Sequence, residues 1–195
     1  MITIPEREIR AVFDDRTIRV YQAYSDPIAD AALRHGTFVS PFKMTRMTWI
    51  KPSFLWMMYR AGYGFKDGGQ NRILAIDITR EGFEWALENS CGSRAPAGME
   101  PEQWAQLKAS KPVRIQWDPE RDLDHNPLPH RSIQIGIRDE AVERYVNDWI
   151  VKITEITEQA HAIYALVKDR DLEAAAQLLP DERPYPARLP DWMGA

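Results

Sequence analysis

Residues 46–64 read RMTWIKPSFLWMMYRAGYG. No other segment packs so many large or special side chains so closely. Trp49, Phe54, Trp56, Tyr59 and Tyr63 share it with Met47, Met57 and Met58. Arg46, Lys51 and Arg60 lie inside it and Lys43 just before it, and only Asp67 offsets them nearby. Pro52 splits the stretch. A proline pushes the residue before it into extended geometry, so Lys51 closes a strand. Ser53 then suits the N-cap of a helix, on which Trp56, Met57 and Arg60 fall in one stripe with Ser53. The reading is a strand, a tight corner and a short helix, with Lys51 and Ser53 at the corner. Helix N-termini favour anions, because free N–H groups and the dipole point there. A lysine beside such an end could hold a phosphate. The competing reading is packing alone. Aromatic and methionine residues at helical spacing usually fill a core, as Phe54, Leu55 and Met58 would, and long cations reach water from apolar segments.

On the N-terminal side, residues 9–13 alternate as a short strand and Asp14-Asp15-Arg16 makes a turn. Residues 17–24 (TIRVYQAY) form a stronger strand, so the two suggest a hairpin. Ile18, Val20, Gln22 and Tyr24 face one side, and Arg19, Tyr21 and Ala23 the other. Asp26 caps a helix with Pro27 at its first position, and Gly36 ends it. On the C-terminal side, residues 62–70 are a Gly-rich connector without the spacing of a phosphate loop. Residues 72–79 (RILAIDIT) read as a buried strand, 81–88 as a helix, 89–98 as loop and 101–109 as a helix. In the strand 113–117, Val113, Ile115 and Trp117 oppose Arg114, Gln116 and Asp118. A turn at 118–121 and a Pro-rich loop to 129 follow. In the strand 131–137, Ile133, Ile135 and Ile137 oppose Ser132, Gln134 and Gly136, and Gly136 leaves room for a close neighbour. Residues 140–168 read as one long helix and 169–179 as a second. Strands and helices do not alternate regularly. The expected class is α+β: a mostly antiparallel, twisted sheet that can split, with helices packed on it and a C-terminal helical pair.

The chain has 195 residues, enough for one domain with a real core. Residues 1–179 are expected to form it, with 180–195 a Pro-rich tail packing through Tyr185, Leu189 and Trp192. A net charge of −4 argues against broad nucleic-acid binding but leaves room for a local basic cleft. The single Cys91 excludes an intrachain disulfide and fits a reducing compartment. There is no signal pattern and no apolar run of membrane-spanning length, which points to the cytoplasm and to no membrane partner.

The four histidines lie in unrelated contexts without HExxH, HxH or CxxC spacing, so no metal is expected. No GxSxG elbow is present. The informative pattern is polar residues on strands that bury their neighbours: Arg19, Tyr21 and Gln22; Arg114, Gln116 and Asp118; Arg131 and Gln134. With Lys51, Ser53 and Arg60 they could line one cleft, arginines for phosphates and amides for a base. The alternative is the solvated face of an antiparallel sheet, where alternation is expected.

RVYQAY, RMTWIKPSFLWMMYRAGYG, VRIQWDPERDL and RSIQIGI, in this order, resemble the family called domain of unknown function 4291, over about residues 9–167. Ala61 and Tyr63 depart from its Ser and Trp. The resemblance singles out Pro52, Ser53, Trp117, Pro119 and Gln134, together with Tyr21, Gln22, Arg46, Trp49, Lys51, Trp56, Arg60, Gln116, Asp118, Arg121 and Arg131, these last eleven read as ligand-binding positions. In its layout the chain is also similar to ADP-ribosyltransferases, which cleave NAD at the nicotinamide bond. That similarity implies NAD as cofactor and gives Arg19 or Gln22, Ser53 and Gln134 catalytic positions, with Gln134 on the late strand where Glu is absent. The leading expectation is thus an NAD- or nucleotide-using, ADP-ribosyltransferase-like enzyme acting on a nucleic acid or phosphorylated acceptor. The alternatives are a non-catalytic module for a nucleotide, a phosphorylated small molecule or single-stranded RNA, and a protein-interaction domain whose aromatics are core.

Overall fold

The computed structural model describes residues 4–95, 97–190 and Trp192. In chain order its elements are β1 (Arg10–Ala11), β2 (Thr17–Tyr24), α1 (Asp26–His35), β3 (Thr48–Ile50), α2 (Phe54–Ala61), β4 (Arg72–Thr79), α3 (Arg80–Glu88) and β5 (Ser90–Gly92). There follow α4 (Pro101–Ser110), β6 (Val113–Arg121), β7 (Pro127–Ile137), α5 (Glu140–Arg144), β8 (Ile150–Glu155), α6 (Thr157–Lys168), α7 (Leu172–Gln177) and β9 (Arg183–Pro184).

Two sheets carry the fold. One runs β2-β4-β8, all antiparallel; the other runs β3-β7-β6-β5, antiparallel except for β5 beside β6. They meet at an isolated bridge, where the Tyr21 N–H donates to the Lys51 carbonyl at 2.7 Å. The fold is α+β with a split, mostly antiparallel sheet, and α6 packs against α7 near the C-terminus. Alternation along β2 assigns each residue to a side. Ile18 and Val20 join a large core with Leu74, Ile76 and Ile78 of β4, and with Ile133, Ile135 and Ile137 of β7. Tyr21, on the opposite face, joins a smaller core with Ile73 and Ala75 of β4, Met57 and Met58 of α2, and Ile163 of α6. β4 is covered on both faces, which is why its sequence is a near-continuous apolar run.

Several expectations need correction. Residues 140–168 are not one helix: α5 ends at Arg144, a π turn spans Tyr145–Trp149, and Ile150–Glu155 is the strand β8 beside β4. Its residues Ile150, Val151, Ile153 and Thr154 are β-branched and suit a pleated surface. Residues 118–121 are not a turn, because β6 runs through them, pairing Asp118 with Ser132 and Pro119 with Arg131. β5 pairs only with Val113–Ile115, so the far half of β6 is an edge, where proline costs no ladder bond. β7 correspondingly begins at Pro127, and the loop 89–98 contains β5. The first hairpin reduces to a bridge between Phe13 and Ile18; the ladder partner of β1 is β9, with Arg10 opposite Pro184. The Pro-rich end therefore returns to the body. Tyr185 is 6% exposed and packs edge-on against Phe13 and Phe83. Leu189 packs on the large core, and Trp192, 42% exposed, lies over Gly92, where an added Cβ would come 3.5 Å from its ring.

Candidate functional site

The corner at Pro52 forms as its sequence requires. Ser53 is the N-cap of α2, its Oγ accepting from the Trp56 N–H at 3.1 Å, and Gly62 ends the helix in the left-handed region at φ 57. One stripe of α2 (Trp56, Met57 and Arg60) is thereby set over the seam between the sheets. An open cleft of about 820 Å³ lies there. It is lined by Gln22 and Tyr24 of β2, Thr48 and Trp49 of β3, Lys51, the α2 stripe, Gln116 and Asp118 of β6, and Gln134 of β7. Trp49 lies close on β7: a Cβ added to Gly136 would come within 3.0 Å of its ring.

Asp118 organises one wall. Its carboxylate accepts from Gln116 Nε2 at 2.9 and 3.1 Å and from Gln134 Nε2. A carboxylate only accepts, so both amides turn their NH2 groups to it and keep their carbonyl oxygens for other partners. Gln22 is spent across the seam: its Nε2 donates to the Trp49 carbonyl at 3.2 Å and its Oε1 accepts from Tyr145 OH at 2.8 Å.

Lys51 is 6% exposed. Its Nζ donates to the Trp49 carbonyl at 3.4 Å and lies 5.9 Å from the centre of the Trp56 ring. Among the described residues no carboxylate lies within ion-pair distance of it. Burial first, then the Arg60 charge, pushes the amine down to about 7, with Asp118 pulling the other way. The indole Nε1 of Trp56 is buried with no acceptor among the described residues. At the rim, Lys43, Arg46 and Arg60 are exposed and make no ion pair among the described residues. Arg19, Arg72, Arg131, Arg138 and Arg170, by contrast, are all paired. The cleft thus offers buried donors and unpaired cations for an anionic, acceptor-rich molecule.

Of the residues singled out from the sequence, the cleft gathers Gln22, Arg46, Trp49, Lys51, Trp56, Arg60, Gln116, Asp118 and Gln134. The others go elsewhere. Arg19 lies on the opposite face of β2 from Gln22 and pairs with Asp77, with Nε to Oδ1 at 2.8 Å. Tyr21 is 1% exposed in the smaller core, edge-on to Phe54. The Ser53 hydroxyl is committed to its cap. Arg121 stacks over Tyr59 with its Cζ 4.0 Å from the ring centre, and Arg131 pairs with Glu6 at 3.0 Å. The anion site expected at the start of α2 is already filled from within: Glu182 Oε1 accepts from the Phe54 N–H at 2.7 Å. Burial pushes this carboxyl up to about 8, while the Phe54 bond lowers it. Arg114 is also structural, donating to the Lys108 and Lys111 carbonyls at the end of α4.

Tyr24, Phe42, Asp67 and Gln70 also line the cleft but were not picked out as site residues. The Gly-rich composition of residues 62–70 was the available signal for Asp67 and Gln70. Phe42 had none, since it reaches the cleft from an irregular loop. No group of three or more His, Cys, Asp or Glu among the described residues could hold a metal ion. No helix among them is long and apolar enough to cross a membrane.

These features define an α+β protein with a cationic, aromatic-walled cleft over the seam of a split sheet. The chain belongs to the family described as domain of unknown function (DUF4291), which matches residues 8–185. The match takes in β9 and Tyr185, beyond the span expected from the sequence motifs. No curated protein matches the chain. The family description assigns no activity and lends no support to the ADP-ribosyltransferase resemblance.

Proposed function

We propose that the cleft binds a small phosphorylated molecule bearing an aromatic ring, a nucleotide, with NAD among the candidates. The observation that carries this reading is the gathering of Lys43, Arg46, Lys51 and Arg60 on one cleft of an acidic chain, with no carboxylate paired to any of them among the described residues. Arginine forks suit phosphate oxygens. The Trp49 and Trp56 rings offer surfaces for a base. Asp118 and the carbonyls of Gln116 and Gln134 are acceptors for hydroxyl or amino groups of the ligand. The reading is of binding and not of ADP-ribosyl transfer, because Arg19 and Ser53 are engaged outside the cleft that holds Gln134, and Gln22, inside it, has its amide bonded to the Trp49 carbonyl and to Tyr145.

A thermal-shift panel of NAD, ATP, ADP-ribose and a short RNA on the wild type and on Arg60→Ala tests it. A ligand at a hundredfold excess over its Kd stabilises the fold by about 2.7 kcal/mol, a rise of a few degrees for a chain of this size. At least one of NAD, ATP and ADP-ribose should give that rise, and Arg60→Ala should lose most of it while melting normally alone. If RNA alone shifts the melting temperature, the site is a strand-binding surface; if nothing does, the reading is wrong.

A further inference from the structure

Lys51 has a second property that anion binding does not use. Its amine is held in the cleft against the Trp49 carbonyl and near the Trp56 ring, without a carboxylate partner among the described residues. Asp118, the acidic group that acts on it through space, cannot swing onto it without leaving both of its amide donors, Gln116 and Gln134. Arg60 adds a like charge nearby. A lysine desolvated in this way, with a cation beside it, gives up its proton more readily than an exposed one and so carries a larger fraction of nucleophilic neutral amine near neutral pH. We propose that Lys51 condenses with an aldehyde or ketone carbon of the bound ligand, so that the cleft takes a phosphorylated carbonyl compound. This rests on the cleft being a phosphorylated-ligand site.

The step balances within the two partners. The amine nitrogen adds to the carbonyl carbon, the C–O bond breaks, and both amine hydrogens leave with the oxygen as water. A reversible C=N bond remains, and no oxidant or reductant is consumed. When that nitrogen takes up a proton it is cationic, and the anchored carboxylate of Asp118 favours it electrostatically. The rim cations Arg46 and Arg60 would hold the phosphate while the carbonyl reaches the deeper amine.

The test uses pyridoxal 5′-phosphate, which joins a ring, a phosphate and an aldehyde. The full chain is incubated with it near neutral pH, the imine is fixed by borohydride, and modified lysines are mapped by peptide mass spectrometry. An ordinary exposed lysine is almost wholly ammonium there, so Lys51 should label at least about tenfold faster than the exposed Lys66, Lys108 and Lys152. Pyridoxal, which lacks the phosphate, should label Lys51 about tenfold more slowly, the loss of one charge-assisted contact. The wild-type map decides the matter without a variant. Labelling of exposed lysines with Lys51 untouched overturns the inference. In that event a melting shift from pyridoxine 5′-phosphate, which has no aldehyde, leaves the phosphorylated-ligand reading standing. Its absence, together with silence in the nucleotide panel, removes both.

Discussion

Lys51 and Glu182 approach the start of α2 from opposite ends of the chain, and burial moves their protons in opposite directions. Glu182 has its carboxyl raised from 4.5 to about 8, so between those values the folded chain holds a proton that the unfolded chain has lost. Stability from this group falls as pH rises through that window. Lys51 is lowered from 10.5 to about 7, so between about 7 and 10.5 the unfolded chain holds the extra proton, and stability from this group rises with pH. The wild type should therefore show a dip in stability near neutral to mildly alkaline pH, measured by urea unfolding across the range. Glu182→Gln keeps an acceptor for the Phe54 N–H and cannot ionise, so it should flatten the acid side of the dip. Lys51→Met keeps most of the stem and removes the buried charge. It should be more stable than the wild type at mildly acid pH, on the order of 1.4 kcal/mol for each pH unit of displacement as an upper bound, with the advantage fading toward pH 10.5. Equal curves for all three proteins would mean that neither group is buried as described. The corner position of Lys51 was legible because Pro52 restricts its neighbour. Its lack of a carboxylate partner was not, since that follows from the register that sets Gln116 opposite Gln134 and leaves both amides to Asp118.

Among the elements, β8 departs furthest from the sequence reading, which runs a helix through it. An apolar stripe at helical spacing runs from Trp149 to Val167 in the sequence, but the β-branched residues of 150–154 and their pairing with β4 outweigh it. The join before β8 is tight. A Cβ on Gly82 of α3 would lie 2.4 Å from the Trp149 ring, with that indole only 5% exposed. Gly82→Ala should cost roughly 1–3 kcal/mol by overpacking, although alanine is the better helix former by about 1 kcal/mol. Urea unfolding would measure it, and a stabilised Gly82→Ala variant would mean that Trp149 does not sit on α3. By contrast, β2 and β4 were legible residue for residue, because eight-residue apolar or alternating runs between turn signals leave little choice of period.

Across the molecule, the sequence motifs showed which polar residues belong together better than where each one points. Arg19 and Gln22 both stood out, yet the two faces of β2 send one to Asp77 and the other to the seam. The packing of the tail through Tyr185 and Leu189 was legible, but its strand was not, since pairing of β1 with β9 joins residues far apart in the chain. Tyr185 closes that pairing, with its OH donating to Glu84 at 2.7 Å and accepting from Arg80 at 3.0 Å. Tyr185→Ala should cost roughly 3 kcal/mol, close to other large aromatic truncations, and a melting curve unchanged by it would detach the tail from the fold. An anionic ligand at the seam between the sheets, as proposed above, would sit beside the buried Lys51 amine, which has no carboxylate partner among the described residues. The most direct measurement is an NMR titration of the Lys51 side chain, first alone and then with saturating pyrophosphate. The midpoint should lie near 7 in the free protein and move upward when the anion offsets the Arg60 charge. A midpoint at the ordinary lysine value of 10.5, unmoved by pyrophosphate, would contradict this.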